Sequence, residues 1–371
     1  MANVSLPTWG ALALSLLRAS DYQTEHTANP GLYERSAPSI DKLKSRRIDS
    51  LLYWKSASDV PEQRLYDRLW RLQRDTLTEI VSRSCAAGIE PIVFKGAEFL
   101  SSCFASRSVG MLYDVDLLIP RSRIEEMKVV AHGMGLRQGI FDRELRALAP
   151  RDVADIARLE LSHYELAPFQ HVVEVALPDD ELAIATAWDQ HPIYPLGNGK
   201  AAFVIEVDIH HQVALDIPSE TLIARGTASA IPGAKTLSPP DLVWFTTSRL
   251  YAEVAMNGKR SLRDFAYLAA YLRQTDIDWD VLIQASAEYD LAPSLFYYLS
   301  FLGTFEGVDI PPEALDQLDP RKMDRLRDWG WQLAPLLGFI DPAPLALGPE
   351  ALEGRSRPAG TTDALRMAQA T

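Results

Sequence analysis

Between residues 7 and about 81 apolar positions recur near the helical period: Leu51, Leu52, Leu65, Leu69, Leu72 and Leu77 are separated by charged residues, and Pro61-Glu62 suits a helix start. This pattern predicts an N-terminal helical lobe over 1–88. At Gly88 the pattern changes, because Ile89-Glu90-Pro91-Ile92-Val93-Phe94 is a short β-prone run that ends in Lys95-Gly96. Residues 97–104 then return to helical spacing. A second strand is predicted over 113–119, stopped by Pro120, with a helix over 121–134, and further β-prone segments lie at 171–177 and 202–210. Alternating strands and helices over 89–217 imply an α/β or α+β domain with a single sheet. Helical spacing resumes over 241–256, 262–272, 279–289 and 295–301, which predicts a C-terminal helical lobe over 218–340. Beyond that, residues 341–371 are rich in Ala, Pro, Gly and Ser without period, the composition of a disordered tail.

Charge changes the list of partners. The 371 residues carry 37 Lys and Arg against 50 Asp and Glu, a net charge of −13. Extended nucleic-acid binding draws its affinity from cationic contacts to phosphates, so this balance argues against it. The most apolar N-terminal stretch, 10–17, is far shorter than the ~20 residues of a membrane span, and it is read as a buried helix. No membrane association, signal peptide or lipid anchor is expected. The two cysteines, Cys85 and Cys103, form no metal-binding or disulfide pattern, which suits a reducing cytoplasm.

The chemistry concentrates on two strands. Asp114 and Asp116 alternate, so period two sets both carboxylates on one face while Val115, Leu117 and Ile119 face a core. Like charges that close repel, and a hard divalent cation with oxygen ligands relieves the repulsion. Asp276, Asp278 and Asp280 also alternate, but they straddle the start of a predicted helix and read as capping and first-turn acids. Gly96 sits where a strand turns into a helix, a place suited to a phosphate, with Lys95 as a cation beside it. Two-metal phosphoryl transfer calls for a third carboxylate. The candidate is Asp208, which shares one strand face with Glu206 and His210 while Phe203, Ile205, Val207 and Ile209 share the other. His211 is expected to pack on the far side, and no His or Cys spacing fits a zinc site.

These residues resemble the uncharacterised nucleotidyltransferases of the polymerase-β-like superfamily, whose members carry a Lys-Gly turn, Asp-x-Asp-Leu-Leu and an Asp-x-His strand. The matching residues are Lys95-Gly96, Asp114-Val115-Asp116-Leu117-Leu118 and Asp208-Ile209-His210. The similarity continues through Leu262-Arg263-Asp264 and Ile277-Asp278-Trp279 and spans about 89–298. It implies an α+β fold with a mixed sheet flanked by helical lobes, with Asp114, Asp116 and Asp208 as catalytic metal ligands and Gly96 in the phosphate turn. Two departures stand out: Ala97 follows Gly96 where the superfamily often has Ser or Gly, and Gly110 occupies a position that often holds Arg, leaving Arg107 as the nearest upstream arginine. His163 falls in a segment that resembles a family histidine segment.

The expected activity is Mg²⁺- or Mn²⁺-dependent transfer of a nucleoside monophosphate from an NTP, ATP foremost, to a small-molecule, peptide or protein acceptor with release of pyrophosphate. Lys95, Gly96, Arg107, His163 and His210 are the expected nucleotide-side residues. The alternatives are a nucleotide-binding pseudoenzyme and a structural module that binds a partner.

Overall fold

The computed structural model describes residues 8–19, 29, 31–105, 107–213, 217 and 219–322, so the predicted tail over 341–371 lies outside the described residues. Contacts divide the chain into two units, Asp59–Ser238 and a discontinuous one formed by Met1–Ser58 and Pro239–Thr371. The chain opens with helices α1 (Thr8–Arg18), α2 (Leu32–Ser36), α3 (Ile40–Ser45) and α4 (Asp49–Lys55). Ala13, Leu14, Leu16 and Leu17 of α1 are buried, as the apolar stretch predicts.

The second unit starts with α5 (Pro61–Ala86), entered through Pro61 in its first turn with Glu62 beside the positive helix end. Then follow β1 (Ile92–Phe94), α6 (Lys95–Cys103), β2 (Asp114–Leu118), α7 (Ile124–Gly133), β3 (Arg137–Asp142), β4 (Ala147–Pro150), α8 (Val153–Ser162), β5 (Phe169–Ala176), α9 (Asp179–Trp188), β6 (Ile193–Gly197) and β7 (Lys200–His210). Helix α10 (Ser219–Arg225) and the short strands β8 (Thr227–Ala228) and β9 (Lys235–Thr236) complete it. The strands form one mixed sheet in the order β4-β3-β5-β7-β2-β1-β9-β8, and β6 also pairs with β7. One long strand organises it: β5 runs antiparallel along β7, β2 pairs in parallel with Glu206–His210, and β6 pairs antiparallel with β7 from Lys200 to Phe203.

Period two divides β7 as the sequence predicts. Phe203, Ile205, Val207 and Ile209 are fully buried on one face together with Val115 and Leu117 of β2. Helix α5 covers that face, with Thr76 Oγ1 3.2 Å from Nε2 of His171, the register partner of Ile205. Its own stripe of Leu65, Leu69, Leu77, Ile80 and Val81 is buried, each side chain contributing about 2 kcal/mol relative to exposure. The sequence division at 88/89 therefore falls between α5 and the sheet it packs on, inside one unit, because the leucine stripe needs the apolar sheet face as its partner. The division at 217/218 also lies inside this unit, since β9 pairs in parallel with β1.

The remaining helices are α11 (Pro239–Asn257), α12 (Arg263–Leu272), α13 (Trp279–Glu288), α14 (Ala292–Leu302) and α15 (Pro312–Leu318). They close the discontinuous unit with α1–α4: Leu262 N donates to Arg46 O at 2.9 Å, and the Arg46 guanidinium donates to Arg260 O at 3.0 Å. Phe265 stacks on Tyr298 with ring centroids 4.2 Å apart in its core. Asp278 caps α13, its carboxylate accepting from Val281 N at 3.1 Å, which is the capping role its spacing predicts. The fold is α+β.

Candidate active site

The parallel register of β2 on β7 sets Asp114 opposite Glu206, Asp116 opposite Asp208 and Leu118 opposite His210. All these side chains leave the sheet on the face that α5 does not cover, because they alternate with the buried apolar set. Phe94, the last residue of β1, is the register partner of Asp116. The chain turns there directly into α6, and Lys95 takes the left-handed backbone conformation with φ 58°, a position glycine would hold without strain. This turn sends the Lys95 side chain back along the strand ends. Its ammonium contacts Asp116 Oδ1 and lies 3.1 Å from His210 Nε2, largely withdrawn from solvent.

His210 is the most enclosed member of the group. Its Nε2 is 2.9 Å from Asp116 Oδ1 and its Nδ1 is 3.2 Å from Glu165 Oε2. Tyr164 stacks on the ring at 5.7 Å, and Phe94 meets it edge-on at 5.2 Å. Burial and then the Lys95 charge hold its pKa below the ordinary value against the pull of Asp116 and Glu165, so the imidazole is neutral near pH 7.

Ligand atoms of Asp116, Asp208 and His210 all lie within 4.8 Å of one another. Asp208 Oδ1 is buried and has no hydrogen-bond partner among the described residues. Burial, reinforced by Asp114, Glu206, Asp116 and Glu165, holds the Asp208 carboxyl well above the usual carboxylate range. Burial likewise pushes Glu206 up to about 7, with Asp114 adding to the rise and the hydrogen bond from the Gln170 amide opposing it. A buried, unpartnered carboxylate oxygen facing a second carboxylate is costly without a cation, so this donor set fits a divalent ion.

The expected residues separate into two groups. Lys95, Asp116, Asp208 and His210 meet, with Gly96 buried beside Lys95 in the first turn of α6 and Asp114 half-buried on the same strand as Asp116. Arg107 acts on Asp67 of α5, which itself accepts from Ser108 N at 2.7 Å. His163 closes α8, its N–H donating to Leu159 O at 3.0 Å, and its two successors Tyr164 and Glu165 are the ones that reach His210. Among the described residues no hydrogen bond, ion pair or ring contact joins the His163 side chain to the group. Glu165 and His191 carry no motif signal. Glu165 arrives through an antiparallel bridge to His210, and His191 stacks on Tyr113 at 6.0 Å, where burial lowers its pKa against the charge of Asp114.

The candidate site is thus two register-paired aspartates beside a strand-to-helix turn. The chain belongs to the uncharacterised nucleotidyltransferase family, whose sequence profile matches residues 62–305. No curated protein and no solved structure matches it. Among the described residues no helix is long and apolar enough to cross a membrane.

Proposed function

We propose that the protein transfers a nucleoside monophosphate from an NTP, ATP foremost, to a hydroxyl or other nucleophile on a small-molecule, peptide or protein acceptor and releases pyrophosphate. The observation that carries this reading is the buried, unpartnered Asp208 Oδ1 on the strand position directly opposite Asp116. Asp116 and Asp208, with Asp114 two positions away on β2, are the residues for a divalent cation, Mg²⁺ or Mn²⁺. When bound, the ion supplies charge neutralisation for the triphosphate and polarises the attacked phosphoryl group.

The chain's own residues do the rest. Lys95 offsets phosphate charge, the first turn of α6 at Gly96 offers backbone N–H groups, and Arg107, His163 and His210 are assigned to the nucleotide and acceptor sides. Asp208 takes the proton of the attacking hydroxyl. The new bond forms between that oxygen and the α-phosphorus as the bond from the α-phosphorus to pyrophosphate breaks. The family and the retained carboxylates favour an enzyme over a pseudoenzyme, since an inert scaffold gains nothing from buried mutual repulsion. A cytoplasmic location suits the free thiols of Cys85 and Cys103.

The test is calorimetric titration of each NTP into the full chain with Mg²⁺, beside Asp116→Ala and Asp208→Asn variants. Saturable binding that both variants lose supports the site. Absence of binding by every NTP overturns it.

A further inference from the structure

The paired carboxylates form a row along the sheet face that α5 leaves uncovered, and the row has two different ends. Lys95 and the first turn of α6 stand at one of them: Phe94, just before the turn, is the register partner of Asp116, and the Lys95 ammonium contacts Asp116 and lies 3.1 Å from His210 Nε2. Asp114 and its register partner Glu206 stand at the other, one strand repeat or about 7 Å further back along β2 and β7. An aromatic pair adjoins that second end. Tyr113 immediately precedes Asp114, and its ring stacks on His191 with centroids 6.0 Å apart and planes 16° from parallel. The imidazole also makes a hydrogen bond with the Tyr113 main chain and feels the Asp114 charge. Its segment, between α9 and β6, is pinned to the sheet: Val204 N donates to Pro192 O at 2.8 Å, and Gln190 and Ile193 exchange main-chain hydrogen bonds of 3.2 and 2.8 Å. Both rings are half-buried and neither is part of the buried core, and among the described residues His191 makes no other ring contact. Two rings held in place and partly open beside a row of carboxylates offer a flat π surface to a ligand.

Resting on the nucleotidyltransferase reading above, we propose that the stacked pair Tyr113 and His191 is the shelf for the nucleobase of the NTP, so that the nucleotide lies along the row with its triphosphate at Lys95 and α6 and its base at the Asp114 end. Phosphate oxygens need donors and positive charge, and the Lys95 end offers both, since the start of α6 adds main-chain N–H groups to the ammonium. The α-phosphorus has to lie beside Asp116 and Asp208, the pair assigned to the cation. With the β- and γ-phosphates on the Lys95 side of that point, the ribose and base extend toward Asp114, Glu206 and the aromatic pair. A base there stacks on a ring already fixed by its neighbours, so little side-chain entropy is lost on binding. Because every base has a π face, the shelf accepts any nucleoside triphosphate and requires only that a base be present. His191 and Tyr113 thus act on binding of the donor and not on the bond-making step.

The experiment is calorimetric titration of ATP, ribose 5′-triphosphate and inorganic tripolyphosphate into the full chain with Mg²⁺, repeated on His191→Ala and His191→Phe. The unaltered protein is expected to bind ATP at least about tenfold more tightly than ribose 5′-triphosphate, which has the same phosphates and sugar but no base. His191→Ala should weaken ATP by about tenfold and leave tripolyphosphate unchanged, and His191→Phe, which keeps a ring to stack on, should restore the affinity for ATP. Equal binding of ATP and ribose 5′-triphosphate to the unaltered protein overturns the inference, and this comparison survives if the variants fail to fold. An unchanged ATP affinity in His191→Ala overturns it too, as does a loss that falls equally on tripolyphosphate or that His191→Phe does not restore. If ATP binding is indifferent to the base and to His191 yet disappears in Asp208→Asn, the nucleotidyltransferase reading stands while this one falls. If no triphosphate binds at all, both fall together.

Discussion

Asp116 and Asp208 are register partners on parallel strands: Asp116 contacts Lys95, while Asp208 Oδ1 is buried and has no hydrogen-bond partner among the described residues. The sheet thus fixes the separation of the two carboxylates by backbone hydrogen bonds rather than by side-chain choice. Burial first, and then the neighbouring carboxylates, oppose ionisation of Asp208.

That asymmetry makes Asp208→Asn informative about stability and function together. The raised pKa of Asp208 means that the folded protein holds its proton more tightly than the unfolded chain, so stability from this group is present at low pH and is lost as pH rises. An asparagine cannot ionise. The variant is expected to unfold at least about 2 °C above the parent at pH 8, with the advantage shrinking toward pH 4, while losing NTP binding. Thermal unfolding at the two pH values checks it, and a variant less stable at pH 8 would count against the repulsion.

Lys95 performs two tasks that substitution separates. Lys95→Ala removes the ammonium but keeps a Cβ at φ 58°, whereas Lys95→Gly removes both the charge and the backbone strain. Both variants should lose NTP affinity. The glycine variant should be more stable than the alanine one by about 1 kcal/mol in urea unfolding, and equal stability would show that the turn is unstrained.

Glu98 lies in the first turn of α6, buried, with Ser229 Oγ donating to its carboxylate at 2.5 Å. Burial pushes its pKa up to about 7, against the hydrogen bonds from Ser229 and Ala230. The folded pKa exceeds the unfolded one, so its contribution is present below about pH 4.3 and is lost as pH rises through about 7. Glu98→Gln should flatten this part of the stability curve, which denaturant titrations at pH 5, 6 and 7 would read.

The alternating acids at Asp278 supply a control. Asp278→Ala removes the cap on Val281 N and should cost about 1 kcal/mol of stability, with NTP binding unchanged. Loss of NTP affinity in that variant would show that the second Asp-x-Asp pattern has more than a structural role.

Alternation along the two strands was enough to place Asp114 with Asp116 and Glu206 with Asp208 and His210 on polar faces, since side-chain direction in a strand is a local property. The strand-to-helix turn at Lys95-Gly96 was legible for the same reason. Short strands were not: β8 and β9 have two residues each, too few to show a period, and β3 carries charged and half-exposed residues that hide one. Helix α5 was legible as a helix but not as a part of the sheet-bearing unit, because a leucine stripe states that a partner exists without saying which surface it is. The local sequence determined which side chains share a face. Tertiary structure alone decided that β2 would lie against β7 in the register that opposes Asp116 to Asp208, and that Glu165 would reach the far side of His210, since pairing between distant segments depends on the packing of the whole sheet.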